Sequence, residues 1–186
     1  MIDEILLDAE DNMDKAVEVA KDNFASIRTG QASAAMFANI AVDYYGAPTA
    51  LQQLAAINVP EPRTVMIAPY DAGAKKAIET ALRNSDLGVN PSDDGNVLRI
   101  NMPQLTQERR RDYVKLAKHK AEDARVTIRN MRRKAKDQID AAVKGSGDVG
   151  EDDGARGEKE LDVLTKKHVD QIDAILATKE RELLEV

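Results

Sequence analysis

The sequence predicts an α+β fold: an elongated, L-shaped three-helix bundle with an inserted small β/α/β domain, the two joined by a two-strand hinge. Three observations predict it. Apolar and small residues recur at 3-4 spacing over long stretches at both ends of the chain, as packed helices require. That spacing vanishes between Gln31 and Gln104, where short alternating runs and turn residues replace it. The charge is divided as well. Residues 105–144 hold 13 Lys and Arg against 6 Asp and Glu, a net +7, whereas the rest of the chain, with 14 against 27, carries −13.

The first helix is read over residues 2–29. Leu6, Met13, Ala20 and Ile27 recur every seven residues, Ile2, Ala9 and Ala16 fill the alternate seam, and Val17 and Phe24 widen it. Asp3, Glu4 and Asp8 suit the positive end of the helix dipole, and Gly30 is a C-terminal stop. In the insert, Ile40, Val42 and Tyr44 alternate before a turn at Gly46-Ala47-Pro48. Leu54–Val59 and Thr64–Ala68 are strand-like on either side of Pro60-Glu61-Pro62. Ala74–Asn84 has helical spacing, residues 88–95 are rich in loop formers, and Val97–Met102 is a last strand closed by Pro103.

Thr106 is the expected N-cap of a second helix that runs to Lys144, with Glu108 near its positive end. Its seam is Val114, Ala117, Ala121, Ala124, Ile128, Met131, Ala135, Ile139 and Ala142. An acidic, glycine-bearing loop is expected from Gly145 to Gly157, and a third helix from Glu158 to Leu184 with Leu161, Leu164, His168, Ile172, Ile175 and Leu176 inward. Each long helix is apolar on one stripe only, so the three must close on one another. The bundle is then residues 1–30 with 105–186, and the insert is 31–104. The chain crosses between them at Thr29–Ala32 and Pro103–Leu105, which makes Gly30, Gln31, Pro103 and Gln104 the hinge. A monomer is expected.

Composition narrows the function. Without cysteine there is no disulfide, thiol chemistry or cysteine-held zinc. The acidic, amphipathic N-terminus is not a signal peptide, and no apolar run approaches the ~20 residues that span a bilayer, so a cytoplasmic protein is expected. Neither histidine stands in a catalytic or HExxH pattern. His168 falls on an apolar stripe, as a packed histidine does, and His119 is one polar residue among many. The acidic stretches fail the calcium-loop spacing, and there is no GxGxxG or GxxxxGK[ST]. The expectation is a protein that is not an enzyme and holds no cofactor or metal.

The second helix carries a basic stripe beside its seam: Lys118, Arg125, Arg129, Arg132 and Lys136, with Arg133 adjacent and no acid between residues 124 and 136. Two readings stay open. A charged flank on a packed helix is commonly solvated or salt-bridged. An arginine block is also a fork for phosphate. With aromatics at 3% of residues, any nucleic acid would be met through phosphates and shape and not by base stacking.

A set of motifs resolves the choice. Ile27-Arg28-Thr29-Gly30, Asp43-Tyr44-Tyr45-Gly46 with Pro48-Thr49, Gln53-Leu54-Ala55, Ser85-Asp86-Leu87-Gly88-Val89-Asn90-Pro91, Leu105-Thr106 with Glu108-Arg109-Arg110, Ala124-Arg125-Val126, Arg129-Asn130-Met131-Arg132-Arg133, and Lys179-Glu180 with Glu182-Leu183-Leu184 follow one another in this order. Each is weak alone. Together they resemble the bacterial ribosome recycling factors along the whole chain.

The resemblance implies a factor shaped like a transfer RNA that binds the 70S ribosome after termination and lays its bundle on large-subunit ribosomal RNA. With elongation factor G and GTP, it would split the ribosome into subunits for a new round of translation. It implies RNA contacts at Arg129, Arg132 and Arg133, with Arg132 ranked first, Arg125 on the same stripe, and Arg110 and Arg28 as further candidates toward the hinge. Three departures stand out. Gln31 replaces an arginine usual after the IRTG motif, Gln107 stands where glutamate is usual, and the 145–157 stretch is glycine-rich and expected to be the more mobile for it.

Overall fold

The computed structural model describes residues 1–145 and 147–185. The chain divides into two compact units: Met1–Phe24 with Lys115–Glu180, and Ala25–Val114 with Arg181–Val186.

The first unit is built from most of three helices, α1 (Ile2–Ala25), α5 (Gln107–Gly145) and α6 (Glu151–Leu184); the start of α5, to Val114, and the end of α6, from Arg181, belong to the second. Three shorter helices and six strands are numbered between α1 and α5 below. α1 buries Ile2, Ala9, Met13, Val17, Ala20 and Phe24, the 3-4 stripe expected of it. α5 buries Ala117, Ala121, Ile128, Ala135 and Ile139, with alanines where helices must approach closely. Leu161, Ile172 and His168 are buried on α6. His168 is a satisfied core histidine: its Nδ1 lies 2.7 Å from the Leu164 carbonyl oxygen and its Nε2 2.6 Å from Asp14 Oδ1 on α1.

Two expected helix boundaries are corrected. α1 stops at Ala25, four residues short of Thr29, and Ile27, Arg28 and Thr29 are buried outside it. α6 starts at Glu151, seven residues before the expected Glu158. Glu151, Asp152 and Asp153 are its first turn, where the dipole favours acids, and not a loop. Gly154 and Gly157 read as loop residues in sequence, yet both are helical and buried. A Cβ on Gly154 would stand 2.5 Å from Val143 Cγ2, and one on Gly157 would stand 2.7 Å from Ile2 Cγ2. The glycines are there for contact between helices. Ser146, part of the same expected loop, lies outside the described residues.

The second unit holds α2 (Ala35–Ala38), β1 (Ala41–Tyr44), β2 (Ala47–Ala50), α3 (Leu51–Leu54), β3 (Ala55–Glu61), β4 (Thr64–Pro69), α4 (Lys75–Arg83), β5 (Ser92–Asp94) and β6 (Val97–Asn101). β1 and β2 form a hairpin, and the other strands make an antiparallel sheet in the order β3-β4-β6-β5. Val65 pairs with Ile100 and Ile67 with Leu98, all four buried on one face, and Ile78 and Leu82 of α4 belong to the same core. The β3–β4 register slips between Asn58 and Glu61, around Pro60, which has no N–H to give the ladder. Sequence spacing missed β2 and β5. The expected turn at Gly46-Ala47-Pro48 is instead Tyr45-Gly46, and Ala47 and Pro48 already pair in β2.

Candidate nucleic-acid interface

Thr106 caps α5 as expected: its Oγ1 accepts from the Arg109 N–H at 3.1 Å. From there α5 runs unbroken for 39 residues, which fixes the rotation of its arginines about the axis. Positions 125, 129, 132 and 136 fall on one flank, and 129 and 133, four apart, on one face.

The flank toward α6 is salt-bridged. Arg125 is only 20% exposed; its Nε donates to Asp173 Oδ1 at 2.8 Å and its Nη1 to Glu122 Oε2 at 3.1 Å. Burial works to lower the Arg125 pKa, but the hydrogen bonds to Asp173 and Glu122 outweigh it and raise the value. Arg132 Nε donates to Asp162 Oδ1 at 2.7 Å. Its side chain stays 33% exposed, so one carboxylate fixes its base while part of the guanidinium faces solvent. Lys136 meets Asp140 at 3.0 Å, with Glu158 at 4.0 Å. Its pKa is raised, first by the hydrogen bond to Asp140 and then by the same charge.

The outward face is open. Arg129 is 55% exposed and, among the described residues, its ion-pair partner is Glu122, at 3.4 Å. Arg133 and Lys134 are exposed, and among the described residues neither has an ion-pair or hydrogen-bond partner. The salt-bridged reading is met on the flank toward α6, and the other face of the same helix leaves cations exposed. Asp162 and Asp173, which orient Arg132 and Arg125, were missed. They lie 30 and 48 residues away, and no local spacing points to them.

Arg28 and Arg110 are placed elsewhere. Arg28 is 6% exposed; its Nη1 donates to the Leu87 carbonyl oxygen at 2.9 Å and its Nη2 to that of Pro103. Burial lowers its pKa, with the nearby Tyr113 opposing. A guanidinium enclosed in this way serves the fold, and the expected phosphate contact has no support in its surroundings. Arg110 Nη1 donates to the Leu183 carbonyl oxygen at 2.9 Å and to that of Glu185, satisfying the end of α6.

The four hinge candidates lie within the second compact unit, just outside two backbone anchors. The Ala32 N–H donates to the Pro62 carbonyl oxygen and the Met102 N–H to that of Arg63, each at 2.7 Å. Gly30 and Gln31 precede the first anchor, and Pro103 and Gln104 follow the second. Thr29 Oγ1 donates to the Gln31 carbonyl oxygen at 2.9 Å. Among the described residues no group of acids and histidines is placed to hold a metal ion, and no helix is long and apolar enough to cross a membrane.

The sequence matches the family model for ribosome recycling factor over residues 20–184. It is 67% identical to the ribosome-recycling factor of Beutenbergia cavernae and 62% identical to that of Kineococcus radiotolerans, each over 186 residues that cover all of both chains. Its fold is similar to a solution structure of ribosome recycling factor, with a TM-score of 0.75 and 40% identity over 100% of this chain and 98% of the other. A second similar structure, with a TM-score of 0.67 and 40% identity over 100% of both chains, is a T. thermophilus ribosome recycling factor placed with E. coli elongation factor G on the E. coli post-termination complex. A match of this length and identity, on a fold of long helices with a small β domain, shows that the chain belongs to the ribosome recycling factor family.

Proposed function

We propose that the chain binds 70S ribosomes after termination, sets the outward face of α5 on large-subunit ribosomal RNA and, with elongation factor G and GTP, parts the subunits for a new round of translation. It works as a monomer in the cytoplasm, as a mechanical factor and not an enzyme, with no cofactor of its own. The observation that carries the RNA contact is the acid-free run Arg125–Lys136 on one rigid helix, whose outer cations Arg129, Arg133 and Lys134 are exposed. A phosphate can meet these without first breaking an interhelical pair. Arg132 adds a guanidinium already oriented by Asp162.

The reading extends to a hinge at Gly30, Gln31, Pro103 and Gln104, supported by their place just outside the backbone anchors at Ala32 and Met102. The bundle, 1–30 with 105–186, would hold the RNA while the insert, 31–104, moves. The test is light scattering of post-termination ribosomes mixed with the protein, elongation factor G and GTP. Subunit separation is expected with all three together and not when any is omitted. Arg132→Ala should slow it while leaving the fold intact. Ribosomes that stay whole in the complete mixture would overturn the proposal, and wild-type rates with Arg132→Ala would remove that residue from the interface.

A further inference from the structure

A ladder of ion pairs joins α5 to α6. Lys118 meets Glu180 and Lys136 meets Glu158, each at 4.0 Å, while Arg125 meets Asp173 at 2.6 Å and Arg132 meets Asp162 at 2.7 Å. The partner numbers fall as the cation numbers rise, so the two helices run antiparallel here. Residues 118, 125 and 132 are seven apart and keep one flank of α5. Asp162 and Asp173 are eleven apart, about three turns, and share one stripe of α6.

The two arginines of the ladder are engaged differently. Arg125 brings Nε and Nη2 to Asp173 Oδ1, at 2.8 and 2.6 Å, and its Nη1 donates to Glu122 Oε2 at 3.1 Å. Every nitrogen of that guanidinium has a carboxylate, one on α6 and one on α5 itself. Arg132 is met at Nε, by Asp162, and among the described residues no second acid pairs with it. A guanidinium forks onto a phosphate through paired N–H groups, and its two-Nη end can supply them. Arg132 keeps that end, and Arg125 does not.

Asp162 stands where an acid is unfavourable for binding RNA. Its side chain is 53% exposed beside the cations of α5, so its charge repels phosphate, and an exposed pair adds little to stability. Its tether to Nε has another effect. A free arginine loses rotamer freedom when it binds, and one already held in place loses less. We propose that Asp162 is a positioning residue for the RNA contact, holding Arg132 by Nε with its Nη end outward, while Asp173 and Glu122 withdraw Arg125 from the phosphates. The role rests on the recycling reading for the contact of Arg132 with ribosomal RNA.

The test measures the affinity of the full chain for post-termination ribosomes across a salt series. Repulsion and positioning predict opposite signs for Asp162→Ala. Removing an acid would by itself tighten binding, whereas losing the tether should weaken it about 3- to 10-fold. The slope of log K against log salt should stay that of the wild type, because Arg132 keeps its charge, while Arg132→Ala should flatten it by about one contact. Asp162→Asn keeps an oxygen for the Nε–H and should bind within about twofold of the wild type. In an Arg132→Ala background, Asp162→Ala should cause no further loss. Asp173→Ala releases Arg125 and should not weaken binding. Wild-type or tighter binding by Asp162→Ala overturns the positioning role, as does a further loss in the Arg132→Ala background or an equal loss with Asp173→Ala. If Arg132→Ala itself binds like the wild type, the RNA contact fails and the positioning role with it. A loss with Arg132→Ala and none with Asp162→Ala sinks the positioning role alone.

Discussion

Arg28 and Arg133 carry the same guanidinium and end in opposite surroundings. Arg28 is enclosed and gives its Nη atoms to the carbonyls of Leu87 and Pro103, 59 and 75 residues away. Removing it leaves two acceptors without a partner in a dry site. Arg28→Ala should therefore cost about 2–4 kcal/mol of stability, measured by urea unfolding. Arg28→Lys should recover only part, since an ammonium lacks the fork that spans both carbonyls. Arg133 touches no partner among the described residues. Arg133→Ala should change stability by less than about 0.5 kcal/mol. It should weaken ribosome binding and flatten the salt dependence of log K by about one phosphate contact. If the two variants swap behaviour, both assignments fail. The sequence places both arginines in short basic motifs, and nothing local tells the enclosed one from the exposed one, because what separates them is burial against residues far along the chain.

At the scale of the element, the long helices were legible and their ends were not. A 3-4 stripe sustained from Val114 to Ala142 admits one packing face, and five of the nine expected seam residues of α5, Ala117, Ala121, Ile128, Ala135 and Ile139, are buried. The start of α6 was hidden because glycine normally signals a break, and only the neighbouring helices reveal that Gly154 and Gly157 serve close approach. β5 was hidden because Ser92-Asp93-Asp94 is exposed on every residue and has no apolar face to alternate. The interface was half legible: the arginine block is local, but the acids that bind part of it belong to another helix. Gly154→Ala and Gly157→Ala put these ideas in conflict. Helix propensity alone predicts a gain of about 1 kcal/mol for each. The Cβ atoms would instead press on the β-branched Val143 and Ile2, stiff side chains with little room to turn away. A net loss of about 1–3 kcal/mol is expected for each in thermal or urea unfolding. Pairing Gly154→Ala with Val143→Ala should recover much of the loss, which a general effect on helix propensity would not allow.

For the whole molecule, the division of charge and the two crossings have to act together. A net +7 on residues 105–144 gathers the cations onto the helix that would hold RNA, while the insert carries 7 acids against 5 bases and would not compete for the same phosphates. Binding and movement are then separable, and the hinge residues are where separation can be measured. Gln31 adjoins the backbone anchor at Ala32, and Gln104 lies two residues beyond the one at Met102. Replacing both with proline fixes φ near −65° at two of the four hinge positions without touching an arginine of α5. If interdomain movement drives separation, Gln31→Pro with Gln104→Pro should bind post-termination ribosomes within about twofold of the wild type, because the α5 contacts of the salt-dependent term are unchanged. Splitting by elongation factor G and GTP should slow several-fold in stopped-flow light scattering. Circular dichroism and the urea midpoint check that the variant is folded. Equal loss of binding and splitting would mean that the crossings serve only the fold. Full-rate splitting by a folded variant would mean that the factor pushes the ribosome apart as a rigid wedge, and the hinge would then have no part in the mechanism.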